Sequence, residues 1–92
     1  MVKRIRHRGL RRRYEDGGIR GLNADHAPRL RLILTALDAA EVPGDLDIAG
    51  WRLHRLKGAR RGEWSVWVSA NWRVTFRFDG HNATDVNYED YH

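Results

Sequence analysis

The sequence predicts an α+β fold in which N-terminal helices cover one face of an antiparallel sheet. Three observations carry that expectation. Leu30, Ile33, Leu34 and Leu37 recur at helical spacing and give one apolar stripe. The second half alternates, with Trp72, Val74, Phe76 and Phe78 set against Arg73, Thr75 and Arg77. Pro43-Gly44 separates the two patterns.

Taken in order, residues 3–7 (KRIRH) could form a short strand. Gly9 to Tyr14 reads as a short helix that Gly17-Gly18 stops. Asn23 or Asp25 can cap the next helix, and Pro28 suits its first turn because the missing N–H costs nothing there. Arg29, Arg31 and Asp38 fall off the apolar stripe. Trp51 to Leu56 is a first strand of the second half, and Lys57 to Gly62 (KGARRG) a turn-rich loop. WSVWVS (64–69) and WRVTFRF (72–78) are joined only by Ala70-Asn71, which reads as a hairpin. After a turn at Asp79-Gly80, Ala83 to Glu89 makes the last strand, with Val86 and Tyr88 facing the core.

At 92 residues the chain is expected to be one domain spanning 1–92. So short a chain buries only about two-thirds of its unfolded surface. Trp51, Trp64, Trp67 and Trp72 therefore matter, since each buries a large area. With no cysteine there is neither disulfide nor thiolate metal site, and a reducing, cytoplasmic compartment is expected. No apolar run approaches the roughly 18 residues of a membrane span. The basic N-terminus lacks the apolar core of a secretory signal.

The net charge is +5, and arginine supplies nearly all the positive charge, Lys3 and Lys57 being the only lysines. Such a domain suits polyanionic partners, because the planar guanidinium matches phosphates and base edges. The charge is in blocks: residues 1–13 hold seven basic residues and no acid, and residues 52–61 hold five and no acid. Lys3, Arg4, Arg6, Arg8, Arg11, Arg12, Arg13, Arg60 and Arg61 in these blocks, with Arg77 on the sheet, are the candidate nucleic-acid-binding residues.

If helices cover the apolar sheet face, the other face collects Arg73 and Arg77. It also takes Arg52 and His54 or, in the other register, Leu53 and Arg55. Singly, each residue has a plainer reading: polar-out alternation for the arginines, a structural role for His54, simple solvation for Lys57. His7, His26 and His81 show no partner spacing and read as surface residues. No His, Asp and Glu cluster has metal-ligand spacing, and Gly-rich phosphate loops and serine or cysteine nucleophile motifs are missing.

The stretch LHRLKGARRGEWSVWVSANWRVTFRF, with DVNYEDYH after it, resembles the HigB branch of the RelE/ParE toxin superfamily. The specific features are LKG, W-S-V-x-V-x-x-N-W-R-V-x-F-x-F and a final DYH. The loop after Lys57 departs from relatives, which often carry an acid following the glycine. The resemblance implies a small curved antiparallel sheet backed by two N-terminal helices. It implies the toxin of a type II toxin–antitoxin pair, a ribosome-dependent endoribonuclease that cuts mRNA in the ribosomal A site. Its implied partners are a HigA-like helix-turn-helix antitoxin, the 70S ribosome and A-site mRNA, with no metal, cofactor or membrane. The family's active-site positions carry over onto His54, Lys57, Arg73, Asp90, Tyr91 and His92.

Metal-free RNA cleavage uses the 2′-hydroxyl as nucleophile, which DNA lacks. It needs a base for that hydroxyl, charge stabilisation on the phosphorane and an acid for the 5′-oxygen. On the resemblance, His92 is the principal acid or base and His54 assists. Lys57 and Arg73 bind the scissile phosphate, while Asp90 and Tyr91 orient His92 and the substrate. The alternative is a non-catalytic ParE-like toxin that inhibits DNA gyrase. A basic RNA-binding domain without activity is more distant.

Overall fold

In a computed structural model, residues 1–91 are described. Helix α1 runs Arg8–Asp16 and α2 Ala27–Ala39. The strands are β1 His54–Arg55, β2 Trp64–Ser69, β3 Trp72–Asp79 and β4 Asn82–Asp90. They form one antiparallel sheet in the order β1-β2-β3-β4. Both helices contribute to one core beneath the sheet: Leu10 from α1, Leu30, Ile33, Leu34 and Leu37 from α2, and Val66, Val74, Phe76, Val86 and Tyr88 from the strands. The expected α+β arrangement is present.

Helix α1 starts one residue earlier than its apolar pattern suggests, because His7 caps it. The His7 Nδ1 accepts a hydrogen bond of 3.1 Å from the Leu10 backbone N–H. Gly17 ends the helix in the left-handed conformation (φ 80°), where a Cβ would be strained. Neither cap considered for the second helix caps α2 itself, whose N-cap His26 makes no side-chain cap bond; Asn23 acts one turn earlier. Its side chain accepts from the Asp25 N–H at 2.9 Å, capping a short 3-10 turn (Ala24–His26) that runs into α2. Pro28 lies in the first turn of α2.

Two expected strands are shorter than their patterns. The stretch Trp51–Leu56 yields only His54–Arg55, because Gly50 (φ 85°) and Arg52 (φ 51°) adopt left-handed backbone that no strand accommodates. The N-terminal segment makes only isolated parallel bridges, Val2 to Ala83 and Ile5 to Val86. These still occupy the outer edge of β4, with Lys3 N–H to Ala83 O at 2.8 Å and Arg6 N–H to Val86 O at 2.7 Å. Bulges interrupt the ladder at Trp67/Ser69 and at Thr75/Arg77. The second coincides with Asp85 at φ 50° on β4 and bends the strand.

His26 and His7 are not plain surface residues. His26 is buried, with its Nδ1 2.6 Å from the Tyr88 hydroxyl. Trp72 stacks on the Tyr88 ring at 4.6 Å, and His7 meets that ring edge-on at 5.2 Å. No spacing rule brings 7, 26, 72 and 88 together; the packing of α1 and α2 on β3–β4 does. His81 is exposed, as its sequence context suggests.

Removing the hydroxyl in Tyr88→Phe leaves the His26 ring nitrogen buried without its partner. The expected cost is about 1–3 kcal/mol, read as a lower denaturant midpoint at unchanged m-value. A second expectation concerns His7. Burial lowers its pKa from the ordinary 6.5, so folding favours the neutral ring that serves as cap. Its stabilisation is full above 6.5 and is lost as pH falls through the lower folded value. The melting temperature should therefore fall more steeply on acidification in the wild type than in His7→Asn, which caps without titrating.

Candidate active site

The register decides which side chains share the polar face. His54 lies opposite Ser65, Ser65 opposite Thr75, and Thr75 opposite Asn87. One step along, Trp67 lies opposite Arg73 and Arg73 opposite Glu89. His54 therefore belongs to the face of Arg73 and Arg77, which settles the choice left open between the two registers of that strand.

An open depression of about 400 Å³ lies on this face, lined by Arg52, Leu53, His54, Leu56, Ser65, Arg73 and Tyr91. It brings together His54, Arg73 and Tyr91 from three separated segments. Lys57 is exposed next to Leu56 and opens the short 3-10 turn Gly58–Arg60. Asp90 ends β4 opposite Trp72, whereas Arg73 lies opposite Glu89. Tyr91 is anchored by its backbone N–H, which donates to Asn71 O at 2.7 Å. His92 lies outside the described residues. A larger depression, about 500 Å³, sits at α1 and α2 between Arg13, Tyr14, Arg31 and Asp38. It contains none of the expected catalytic residues, so size does not mark the site here.

Arg52, which the sequence offered for this face beside His54 but not as a site residue, lines the depression, as does Ser65, which sequence reasoning did not single out. The Arg52 guanidinium lies 4.4 Å from the centroid of the Trp67 ring. Arg29, on α2, lies 5.5 Å from the same ring and donates to Gly50 O at 2.9 Å. Cation–π contact holds these arginines without neutralising them. The left-handed backbone of Arg52 is the kind of local strain that concentrates at functional sites.

The polar face is not uniformly solvated. Thr75 and Glu63 are buried there. Arg60 bridges Glu63 and Glu89 with four hydrogen bonds of 2.7–3.0 Å. Hydrogen bonding to Arg60 holds both carboxyls below their usual range, against the opposing effect of burial. The signal available in the sequence was that Glu63 is the sole acid between Asp47 and Asp79. Arg77 approaches Glu63 at 3.7 Å and packs where Gly62 leaves room: a Cβ on Gly62 would meet its Nη1 at 2.7 Å.

The two basic blocks occupy opposite edges of the sheet. Residues 52–61 flank β1, whereas the N-terminal segment runs along β4. In that segment Lys3 pairs with Asp79 at 3.1 Å and Arg4 with Asp85 at 3.6 Å. Arg11, Arg12 and Arg13 donate to backbone carbonyls of Ile5, Arg20, and Gly17 and Ala27, respectively. Arg6, Arg8 and Arg61 are exposed. Among the described residues no group of three His, Asp or Glu is arranged to hold a metal ion. No helix among them is long and apolar enough to cross a membrane.

Residues 3–92 match the model of the HigB-like toxin family, described as the RelE-like toxin HigB of type II toxin–antitoxin systems. The chain is also 44% identical to Endoribonuclease HigB of Proteus vulgaris, across all of both chains. With nearly its whole length matched, the chain belongs to the HigB-like family of RelE-like toxins of type II toxin–antitoxin systems.

Proposed function

We propose that this toxin is an endoribonuclease that cuts mRNA in the A site of the 70S ribosome, stopping translation and growth. The endoribonuclease reading rests on family membership and on the full-length relative of that name. The observation that carries the site is the convergence of His54, Arg73 and Tyr91 on one depression of the polar sheet face. A single domain, residues 1–92, supplies all the protein groups, and the cytoplasm is where the ribosomal substrate is found.

The chemistry follows from what RNA offers. The 2′-oxygen attacks the adjacent phosphorus while a base takes its proton. The bond from phosphorus to the 5′-oxygen breaks, and an acid protonates the leaving oxygen. The products are a 2′,3′-cyclic phosphate and a 5′-hydroxyl. His92 is the principal acid or base and His54 assists. Arg73 and Lys57 bind the phosphate and stabilise its added charge, as fixed cations do. Asp90 orients His92, and Tyr91 hydrogen-bonds the phosphate or stacks on a splayed base. So few groups suffice because the ribosome aligns the mRNA, and positioning is worth several kcal/mol.

As a type II toxin the protein has a cognate antitoxin. In the present reading this is a HigA-like helix-turn-helix protein. The exposed arginines at the two sheet edges, Arg6, Arg8 and Arg61 among them, bind ribosomal RNA. Nothing at the depression favours the gyrase-directed alternative, which requires no histidine, arginine and tyrosine around one cavity.

His92→Gln should reduce cutting of ribosome-bound mRNA by about 10²–10⁴-fold while leaving ribosome binding nearly intact. Primer extension and ribosome co-sedimentation read the two quantities, and normal cutting by the variant would remove His92 from the chemistry. Arg6→Glu with Arg8→Glu should weaken ribosome binding and make its salt dependence shallower, by about one unit of slope per lost phosphate contact. An unchanged slope would exclude this edge from the ribosome interface.

A further inference from the structure

Arg60 was expected to contact RNA, but its hydrogen bonding is directed inward. Its Nε and Nη2 donate to both oxygens of Glu63, at 2.9 and 3.0 Å. Its Nη1 and Nη2 donate to both oxygens of Glu89, at 2.7 and 2.9 Å. A guanidinium has five N–H donors, so this double fork leaves little with which to grip a phosphate. Glu89 is further fixed by the Thr75 hydroxyl at 2.9 Å and the Asn87 amide at 3.4 Å. The guanidinium carbon also lies 5.7 Å from the centroid of the Tyr91 ring.

The location of this fork gives it meaning. Arg60 closes the 3-10 turn that begins just after Lys57. Glu89 lies two residues before Tyr91, at the end of β4. The fork therefore ties the loop carrying one expected phosphate ligand to the strand end carrying another. The rest of the loop is braced by backbone bonds, Leu56 N–H to Glu63 O at 2.9 Å and Glu63 N–H to Arg60 O at 3.0 Å. Those bonds shape the loop but do not reach β4.

We propose that Arg60 is a positioning residue of the ribonuclease site: through Glu89 and the Tyr91 ring it sets the Lys57 loop against the end of β4, so that Lys57 and Tyr91 meet the same phosphate. The proposal rests on the endoribonuclease reading above. It assigns Arg60 no direct contact with RNA.

The test compares wild type, Arg60→Lys, Glu89→Gln and the double variant in single-turnover cleavage of mRNA on programmed ribosomes. Rates are taken per folded molecule, with the folded fraction measured by circular dichroism. Lysine keeps the charge but cannot form two forks. Arg60→Lys should lower the rate at saturating ribosomes by about 10- to 100-fold, as expected for misalignment on the scale of an ångström. The half-saturating ribosome concentration and its salt slope should not change. Glu89→Gln leaves the Glu63 fork intact and should lower the rate similarly, and the double variant should be no slower than the slower single one. If Arg60→Lys instead weakens ribosome binding with a shallower salt slope while Glu89→Gln is normal, Arg60 touches RNA and the proposal is overturned. It is also overturned if the wild type cuts and both single variants cut equally well. A wild type that cuts no ribosome-bound mRNA would overturn the endoribonuclease reading itself, and this role with it.

Discussion

Strand β4 is held from both sides, and most of the molecule is arranged around that constraint. On one edge it pairs with β3. On the other, the N-terminal segment bonds to it in register, with Ala83 N–H to Met1 O at 2.9 Å and Val86 N–H to Arg4 O at 3.0 Å. Its inward residues Ala83, Val86 and Tyr88 are buried, so both the backbone and one side of the strand are satisfied. In a small domain with a thin margin of stability, a strand so constrained is among the last parts to open. Tyr91 follows directly from its end. A residue that would otherwise fray is thus attached to one of the most constrained elements of the fold.

The two faces of the sheet meet different physical requirements. The inner face buries aliphatic and aromatic side chains against both helices, with a buried polar contact between His26 and Tyr88. The outer face carries cations, and cations packed closely repel one another. The fold manages that repulsion in two ways. Arg60 is neutralised by Glu63 and Glu89, while Arg52 lies over the Trp67 ring. The second arrangement leaves the charge available to an anion; the first consumes it. High arginine content thus overstates the number of guanidiniums offered to a polyanion.

Much of the fold was legible in the sequence. The helical spacing of Leu30 to Leu37 and the alternation of Trp72 to Phe78 are local patterns, and local patterns survive into the structure because burial selects the same faces. The boundaries that moved did so where backbone conformation overrode pattern. Arg52 occupies left-handed space that propensity disfavours, and it truncates the first strand of the second half. His26 was read as a surface residue because its partner Tyr88 follows no sequence spacing, and His7 because histidine is not among the usual N-cap residues.

The candidate site divides along the same line. The sequence by itself determined the residue types, the basic balance and the family motifs, because these are properties of the chain read in order. It could not say that His54, Arg73 and Tyr91 line one depression, nor that Arg60 faces two carboxylates instead of solvent. Those facts depend on strand register and on the bulges that shift it, which bring residues up to 37 positions apart onto one surface. A slip of one residue would send each of these side chains to the opposite face. Only the packed tertiary structure, by burying one face and pairing every edge of β4, decides that register.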